Sequence, residues 1–367
     1  MGLVDFSCFP RRSVLCVDAK SFFASDELGY EKCGIIPIQE MDGYAEKLEE
    51  RIQKVPASEK FYQGQRRLLN LQISYPWAKS VVVLARRYGR YKIPQPVKGQ
   101  IAKSYLLDLR ADPELKEYKS SQAMDQYLQS LGLQVATNRK CGIVGLRWAA
   151  MQAGLGVIRR NNFFYAQSGS WVALEAWLTD KEMELRETSD LPPCPKGCNR
   201  CVVACPTRSL SEPYTMLPTT CVSFLTTFGG RNLPKEPLSK AFGRCIYGCD
   251  ICQDVCPMNK GRWQENEDFP GLSELAPTLT PESILEMDED YYKEKIQPKF
   301  FYLSSDELWK WKVNVLCFMR NNYQKEYKSY IIAACENENI KVQEMARAIR
   351  DEWGLSNGNT STALIEY

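Results

Sequence analysis

A mixed α/β (α+β) domain, a cysteine-rich module after it and a short set of C-terminal helices are what this sequence predicts, on three observations. Before residue 188, apolar β-rich runs alternate with stretches of helical spacing. Nine of the fifteen cysteines then fall between residues 194 and 256. Amphipathic runs at 306–320, 323–336 and 342–353 follow, a pattern that fits a helical-repeat fragment or a simple bundle.

Taken in order, the chain opens with an atypical segment, 1–25, in which Val14–Val17 reads as a short strand. Its run Leu15–Ser25 is similar to the active-site approach of lesion-bypass DNA polymerases, but eleven residues are too few to carry one. Cys33–Ile38 is apolar enough for a strand, and Tyr44–Val55 has helical spacing until Pro56 ends it. Val81–Ala85 is the clearest early strand, a run that a mixed or parallel sheet would cover on both faces. Residues 86–100, basic and proline-containing, read as a solvated loop, with a ligand-facing surface as the alternative.

Helices are expected at Ala102–Arg110 and Ser121–Ser130, the second stopped by Gly132. Leu133–Thr137 reads as a strand and Ile143–Ala153 as a helix running into Gly154. Gly154 and Gly156 permit φ above zero, close approach to a large ligand, or an ordinary turn. They are not a dinucleotide fingerprint, because the third glycine and the downstream acidic residue are missing. A loop with Gly169, Ser170 and Trp171 introduces the strand Val172–Leu178, and Trp309, Trp311 and Trp353 read as core.

The cysteines form two runs: Cys194, Cys198, Cys201 and Cys205 before Pro206, then Cys249, Cys252 and Cys256 before Pro257. C-x2-C-x3-C-P is the bacterial ferredoxin pattern, in which three near thiolates hold one 4Fe-4S cluster and the cysteine before proline reaches the other. Cys194, Cys198, Cys201 and Cys256 are therefore expected around one cluster. Cys205, Cys249 and Cys252 are expected around the second, with Cys221 and Cys245 competing for its last position. The first run is stretched, since three residues separate Cys194 from Cys198. Zinc is the rival occupant, as paired C-x2-C units also build structural zinc sites. It does not require two reciprocal C-P endings.

With 47 basic and 45 acidic residues the formal net charge is +2, so no global field announces nucleic acid. No stretch reaches the length of a membrane span and no export signal is evident, which predicts a cytoplasmic protein with no membrane partner. There is no histidine, which removes His-based acid–base chemistry, His-bound metals and Ser-His-Asp or Cys-His nucleophiles. Any proton must come from Tyr, Lys, Cys, Asp, Glu or water.

These features converge on one resemblance. The stretches Ala153–Asn161, Gly169–Asp180, the first run with CVVACPT, Cys221 in CVSFLT and the second run YGCDICQDVCPMNKG resemble the epoxyqueuosine reductase family, cobalamin-dependent iron–sulfur enzymes related to reductive dehalogenases. The resemblance implies a nitroreductase-like cobalamin-binding domain at 26–187, a double 4Fe-4S ferredoxin-like domain at 188–262 and packing segments with short helical repeats at 263–357. It implies Cys221 as the fourth ligand of the second cluster, leaving Cys245 spare. It implies base-off cobalamin, without a protein histidine, near Gly154, Leu155, Gly156, Ile158, Arg160, Asn161, Ser170, Trp171, Cys221, Val222 and Ser223. Electrons would come singly from a flavodoxin or ferredoxin and end in Co(I) chemistry on a small organic substrate or tRNA.

Departures from the family pattern fall at substrate-facing positions. Lys140, beside Cys141, stands where the family carries an aspartate proton donor; Tyr105 and Leu106 replace a Tyr-His pair. Arg160 stands for a lysine, and Arg159 for a glycine. Lys140, Cys141, Tyr105 and Tyr165 are accordingly the catalytic candidates, and the substrate need not be epoxyqueuosine in tRNA. The alternatives are an electron-transfer or reductive-activation protein without substrate chemistry, and a reductase of another substrate such as an organohalide. A bound corrinoid would exclude the first alternative, and tRNA binding would argue against the second. Nothing in the sequence demands more than a monomer.

Overall fold

The computed structural model of this chain describes residues 29–106, 108, 112–228, 237–300 and 302–355. The segment 1–25 with its expected strand Val14–Val17, the end of the helix expected at Ala102–Arg110 and the last residues of the chain lie outside them. Two compact units emerge that are not consecutive in sequence. Unit 1 takes residues 1–92, 109–218 and 251–270; unit 2 takes 93–108, 219–250 and 271–367. The cysteine region expected at 188–262 is divided between them.

Unit 1 contains the strands β1 (Tyr30–Pro37), β2 (Ser80–Arg87), β3 (Val135–Ala136), β4 (Val157–Ile158), β5 (Phe164–Tyr165) and β6 (Val172–Thr179), and the helices α1 (Gly43–Lys54), α2 (Lys116–Ser130) and α3 (Leu146–Gln152). Four strands make one sheet in the order β1-β2-β6-β3, and β2 runs antiparallel to both neighbours. The mixed or parallel sheet expected around Val81–Ala85 is thus not formed. That expectation rested on burial, which a run of valines does report; strand direction is not encoded there.

Both faces of β2 are covered. Val81, Val83 and Ala85 pack with Ala149, Ala150 and Ala153 from α3 and its end. Val82 and Leu84 pack with Met124 and Leu128 of α2 and with Trp177 of β6. Full burial of each valine or leucine contributes about 1.5–3 kcal/mol, so this strand anchors unit 1. At its end the Arg86 guanidinium meets the Glu175 carboxylate at 2.9 Å and donates to the Glu117 carbonyl at 2.6 Å, with Arg86 wholly buried.

Helix α3 starts three residues later than Ile143 because Gly145 holds a non-helical ψ of 82° against the Tyr44 ring. The strand expected at Leu133–Thr137 shrinks to the two residues of β3 that pair with β6. In unit 2 the helices α4 (Leu308–Asn321), α5 (Tyr327–Ala334) and α6 (Ile340–Trp353) pack together, as their spacing predicts; Trp311 is buried, whereas Trp309 and Trp353, also expected in the core, are half-buried at its edge. The helix expected from Ala102 is instead a 3-10 turn, Lys103–Tyr105, among the described residues. Its first amides are spent sideways: Ala102 N–H donates to the Tyr247 carbonyl at 2.8 Å and Lys103 N–H to Asp250 Oδ2 at 2.7 Å. No described helix is long and apolar enough to cross a membrane.

Candidate functional site

The β4–β5 hairpin of unit 1 organises the cysteines there. Its turn is closed by Arg159 N–H to Phe163 O at 3.0 Å and Asn162 N–H to Arg159 O at 2.8 Å, with Asn162 at φ 63°. Asparagine tolerates that left-handed geometry better than most residues. The turn holds Arg159, Arg160 and Asn161 beside the cysteine runs. Arg160 Nη1 donates to the Cys198 carbonyl at 2.6 Å, and Asn161 Nδ2 donates to the Cys252 carbonyl at 3.1 Å. One turn therefore grips the backbone of both runs.

Gly154 and Gly156 prepare this hairpin. Gly154 has φ 74°, and a Cβ there would lie 1.7 Å from the Glu187 carbonyl oxygen; one at Gly156 would lie 2.1 Å from the Tyr165 carbonyl oxygen. The glycine pair thus admits the chain's own backbone. Gly169 is required in the same way, since a Cβ would fall 2.4 Å from Asn259 Oδ1.

Behind the hairpin lies a buried polar network. Asn259 Oδ1 accepts from Ser170 N–H at 2.9 Å, while its Nδ2 donates to Ser170 Oγ at 2.8 Å and to the Gln253 carbonyl at 2.9 Å. Ser170 Oγ donates to Gln253 Oε1 at 2.8 Å. Asn161 Nδ2 donates to the Tyr165 hydroxyl at 2.9 Å. Burial raises the Tyr165 pKa above the ordinary phenol value, and a hydrogen bond with Cys256 adds to the rise. The phenol stays protonated beside a cysteine. Sequence reasoning did not single out Asn259 or Gln253, although Asn259 stands in the CPMNKG stretch; a buried amide cannot be told from an exposed one by spacing.

Beside the hairpin a cavity is lined by Cys194, Cys198, Cys201 and Cys256 together with Arg159, Arg160 and Asn161. These are the four thiols expected around one cluster, drawn from both runs. Burial pushes the Cys201 thiol up, and Cys256 and Cys194 push it the same way. Among the described residues no group of His, Cys, Asp and Glu is gathered tightly enough to hold a single ion. A cubane keeps its thiolates apart by its own width and does not need that tightness. Of the remaining cysteines, Cys205 and Cys252 belong to unit 1, and Cys221, Cys245 and Cys249 to unit 2.

The other candidates are placed as follows. Lys140 and Cys141 are exposed in the turn before α3, where Cys141 N–H donates to Asn138 Oδ1 at 2.9 Å and the Arg67 guanidinium donates to the Cys141 carbonyl. Tyr105, in unit 2, shares a 2.7 Å hydrogen bond with Ser223 Oγ, and burial pushes its pKa up to about 12. Cys221 stands just before the helix Val222–Thr227, with Val222 buried. Of the corrin-contact candidates in unit 1, Leu155, Asn161, Ser170 and Trp171 are buried, and Ile158 and Arg160 are part-exposed.

Comparison with known proteins agrees with this geometry. Residues 194–259 match the family described as a 4Fe-4S double cluster binding domain. The epoxyqueuosine reductase of Prochlorococcus marinus is 33% identical over 172 residues, covering 46% of this chain and 53% of that protein. That of Cellulophaga algicola is 26% identical over 287 residues, covering 74% and 88%. The chain matches 53% and 62% of the length of the relatives from Prochlorococcus and Synechococcus. Among solved structures, an epoxyqueuosine reductase with an epoxyqueuosine-modified tRNA-Tyr stem loop superposes with a TM-score of 0.71 at 20% identity, covering 90% of this chain and 89% of that one. The Bacillus subtilis enzyme, with its aspartate catalytic loop swung out of the active site, gives 0.71 at 21% identity, covering 90% and 88%.

A mixed α/β fold with an iron–sulfur domain of the double-cluster type is the class so defined. Within that class, the chain is similar over most of its length to epoxyqueuosine reductases.

Proposed function

We propose that this chain is an iron–sulfur reductase that passes single electrons to an organic substrate. The observation that carries the reading is the cavity where Cys194, Cys198 and Cys201 of the first run meet Cys256 of the second. The donor set fits a 4Fe-4S cluster: four soft thiolates converge there, and a buried guanidinium among them lacks acceptors for Nε and Nη1. When bound, such a cluster accepts and releases one electron at a time. The chain's residues fix it, with Arg160 and Asn161 holding both runs by their carbonyls. The second cluster is assigned to Cys205, Cys221, Cys249 and Cys252 on the sequence pattern and the resemblance to epoxyqueuosine reductases.

The resemblance to epoxyqueuosine reductases supports three finer points: a nitroreductase-like α/β part, a base-off cobalamin and a flavodoxin or ferredoxin as electron donor. The absence of histidine is compatible with the cobalamin. The polar side chains of Asn161 and Ser170 are, however, spent on Tyr165, Cys252, Gln253 and Asn259, and backbone fills the space at Gly154 and Gly156. These four positions of the expected corrin contacts are thus occupied by the chain's own groups within unit 1.

Lys140 supports a substrate distinct from tRNA epoxyqueuosine. A cationic acid at an exposed turn favours a different charge on the acceptor than an aspartate does. Lys140→Ala is expected to slow substrate reduction about 100-fold with iron content unchanged. Loss of iron in that variant would make the lysine structural.

The reading as a whole is tested by anaerobic purification with added cobalamin, iron analysis and an ultraviolet–visible spectrum. Two clusters require about eight iron atoms per chain. An iron-free, colourless protein would refute the proposal, and clusters without a corrin spectrum would favour an electron-transfer protein lacking substrate chemistry.

A further inference from the structure

We infer that Arg159 sets the reduction potential of the cluster held by Cys194, Cys198, Cys201 and Cys256. The inference rests on the cluster reading above and extends it to a residue outside the ligand set. Arg159 lines the cavity and is only 2% exposed. Its Nε and Nη1 are buried and meet no hydrogen-bond acceptor among the described residues. The guanidinium lies 5.0 Å from the centroid of the Tyr165 ring.

Magnitudes decide what this arrangement requires. A cation over an aromatic ring gains about 0.5–2 kcal/mol. Taking a charge out of water without a partner costs several kcal/mol even after relaxation. The ring alone does not offset that penalty, whereas an anion in the cavity does. A cubane bound by four thiolates is such an anion, and its sulfurs are acceptors for the free donors.

The other arginines of the cavity are less suited. Arg200 is exposed, so solvent and salt screen it, and Arg160 Nη1 is committed to the Cys198 carbonyl. Net charge and hydrogen bonds to the sulfurs set the potential of an iron–sulfur cluster. A fixed buried cation stabilises the reduced state, which carries one more negative charge, and so raises the potential. The electron enters from the donor and leaves to the acceptor, while Arg159 transfers nothing. It is a positioning residue whose effect is electrostatic.

The test is a redox titration of the anaerobically purified full chain, followed by electron paramagnetic resonance, for the parent, Arg159→Gln and Arg159→Lys. With iron at the parent level, Arg159→Gln should move one cluster signal to lower potential by at least a tenfold change in the reduced-to-oxidised ratio, about 59 mV for one electron, and leave the other in place. Arg159→Lys should restore most of the shift. If Arg159→Gln sheds one cluster while Arg159→Lys keeps both, the charge is needed to hold the anion and the inference stands. Unchanged potentials in iron-replete variants overturn it, as does loss of the cluster from both variants, which would assign Arg159 to packing. A parent protein without iron overturns the underlying cluster reading together with this inference; the other two failures leave that reading intact.

Discussion

The sheet around β2 and the cavity around Cys201 belong to the same compact unit, yet they are held together differently. Around β2 apolar side chains close both faces, and the buried charge of Arg86 is matched by Glu175. Around the cavity the side chains are thiols and arginines, and one arginine is buried without acceptors for two of its nitrogens. Arg86 Nε also lacks an acceptor, but its charge faces a carboxylate, whereas the cavity's buried arginine has thiols beside it. Substitutions in the two should therefore separate stability from iron content.

The largest stability effect is expected from Arg86→Ala, which leaves Glu175 without its buried partner. Breaking a buried pair costs about 3–5 kcal/mol. Chemical denaturation should show that loss, while iron per folded chain stays at the parent value. Iron lost in proportion would mean that sheet and cavity are not energetically separate.

Asn259→Ala probes the junction, because its amide joins Ser170 to the Gln253 carbonyl. Buried groups left unpaired cost about 1–3 kcal/mol. Here the stability loss should be accompanied by faster iron release to a chelator. Release at the parent rate would show that the polar network does not support the cysteine runs.

The smallest effect concerns pH. Burial raises Tyr105 to about 12, above the value of about 10 in an unfolded chain. Its contribution to stability is full below the unfolded value and is lost as pH rises toward the folded one. Melting temperature should fall on the alkaline side of about pH 10, and Tyr105→Phe should make that fall shallower. An unchanged slope would remove Tyr105 as its source.

The same contrast explains what was legible in the sequence. Cysteine spacing is local, and it located four thiols that do line one cavity. The run Val81–Ala85 announced a buried strand because apolar composition reports burial, but its partners' directions depend on distant segments, and the sheet is antiparallel. The helix expected from Ala102 failed for a related reason: its amides find acceptors at Tyr247 and Asp250, far along the chain. Gly154 and Gly156 announced close approach without saying to what, and the answer is Glu187 and Tyr165. The bareness of the Arg159 donors follows from a turn set by Asn162, which no periodicity reveals.

One cluster is proposed to draw its ligands from both cysteine runs. Cys201→Ser and Cys256→Ser, purified without oxygen and compared by electron paramagnetic resonance after reduction, test it most directly. Both variants are expected to lose or alter the same one of two cluster signals. Loss of different signals, one for each run, would contradict it.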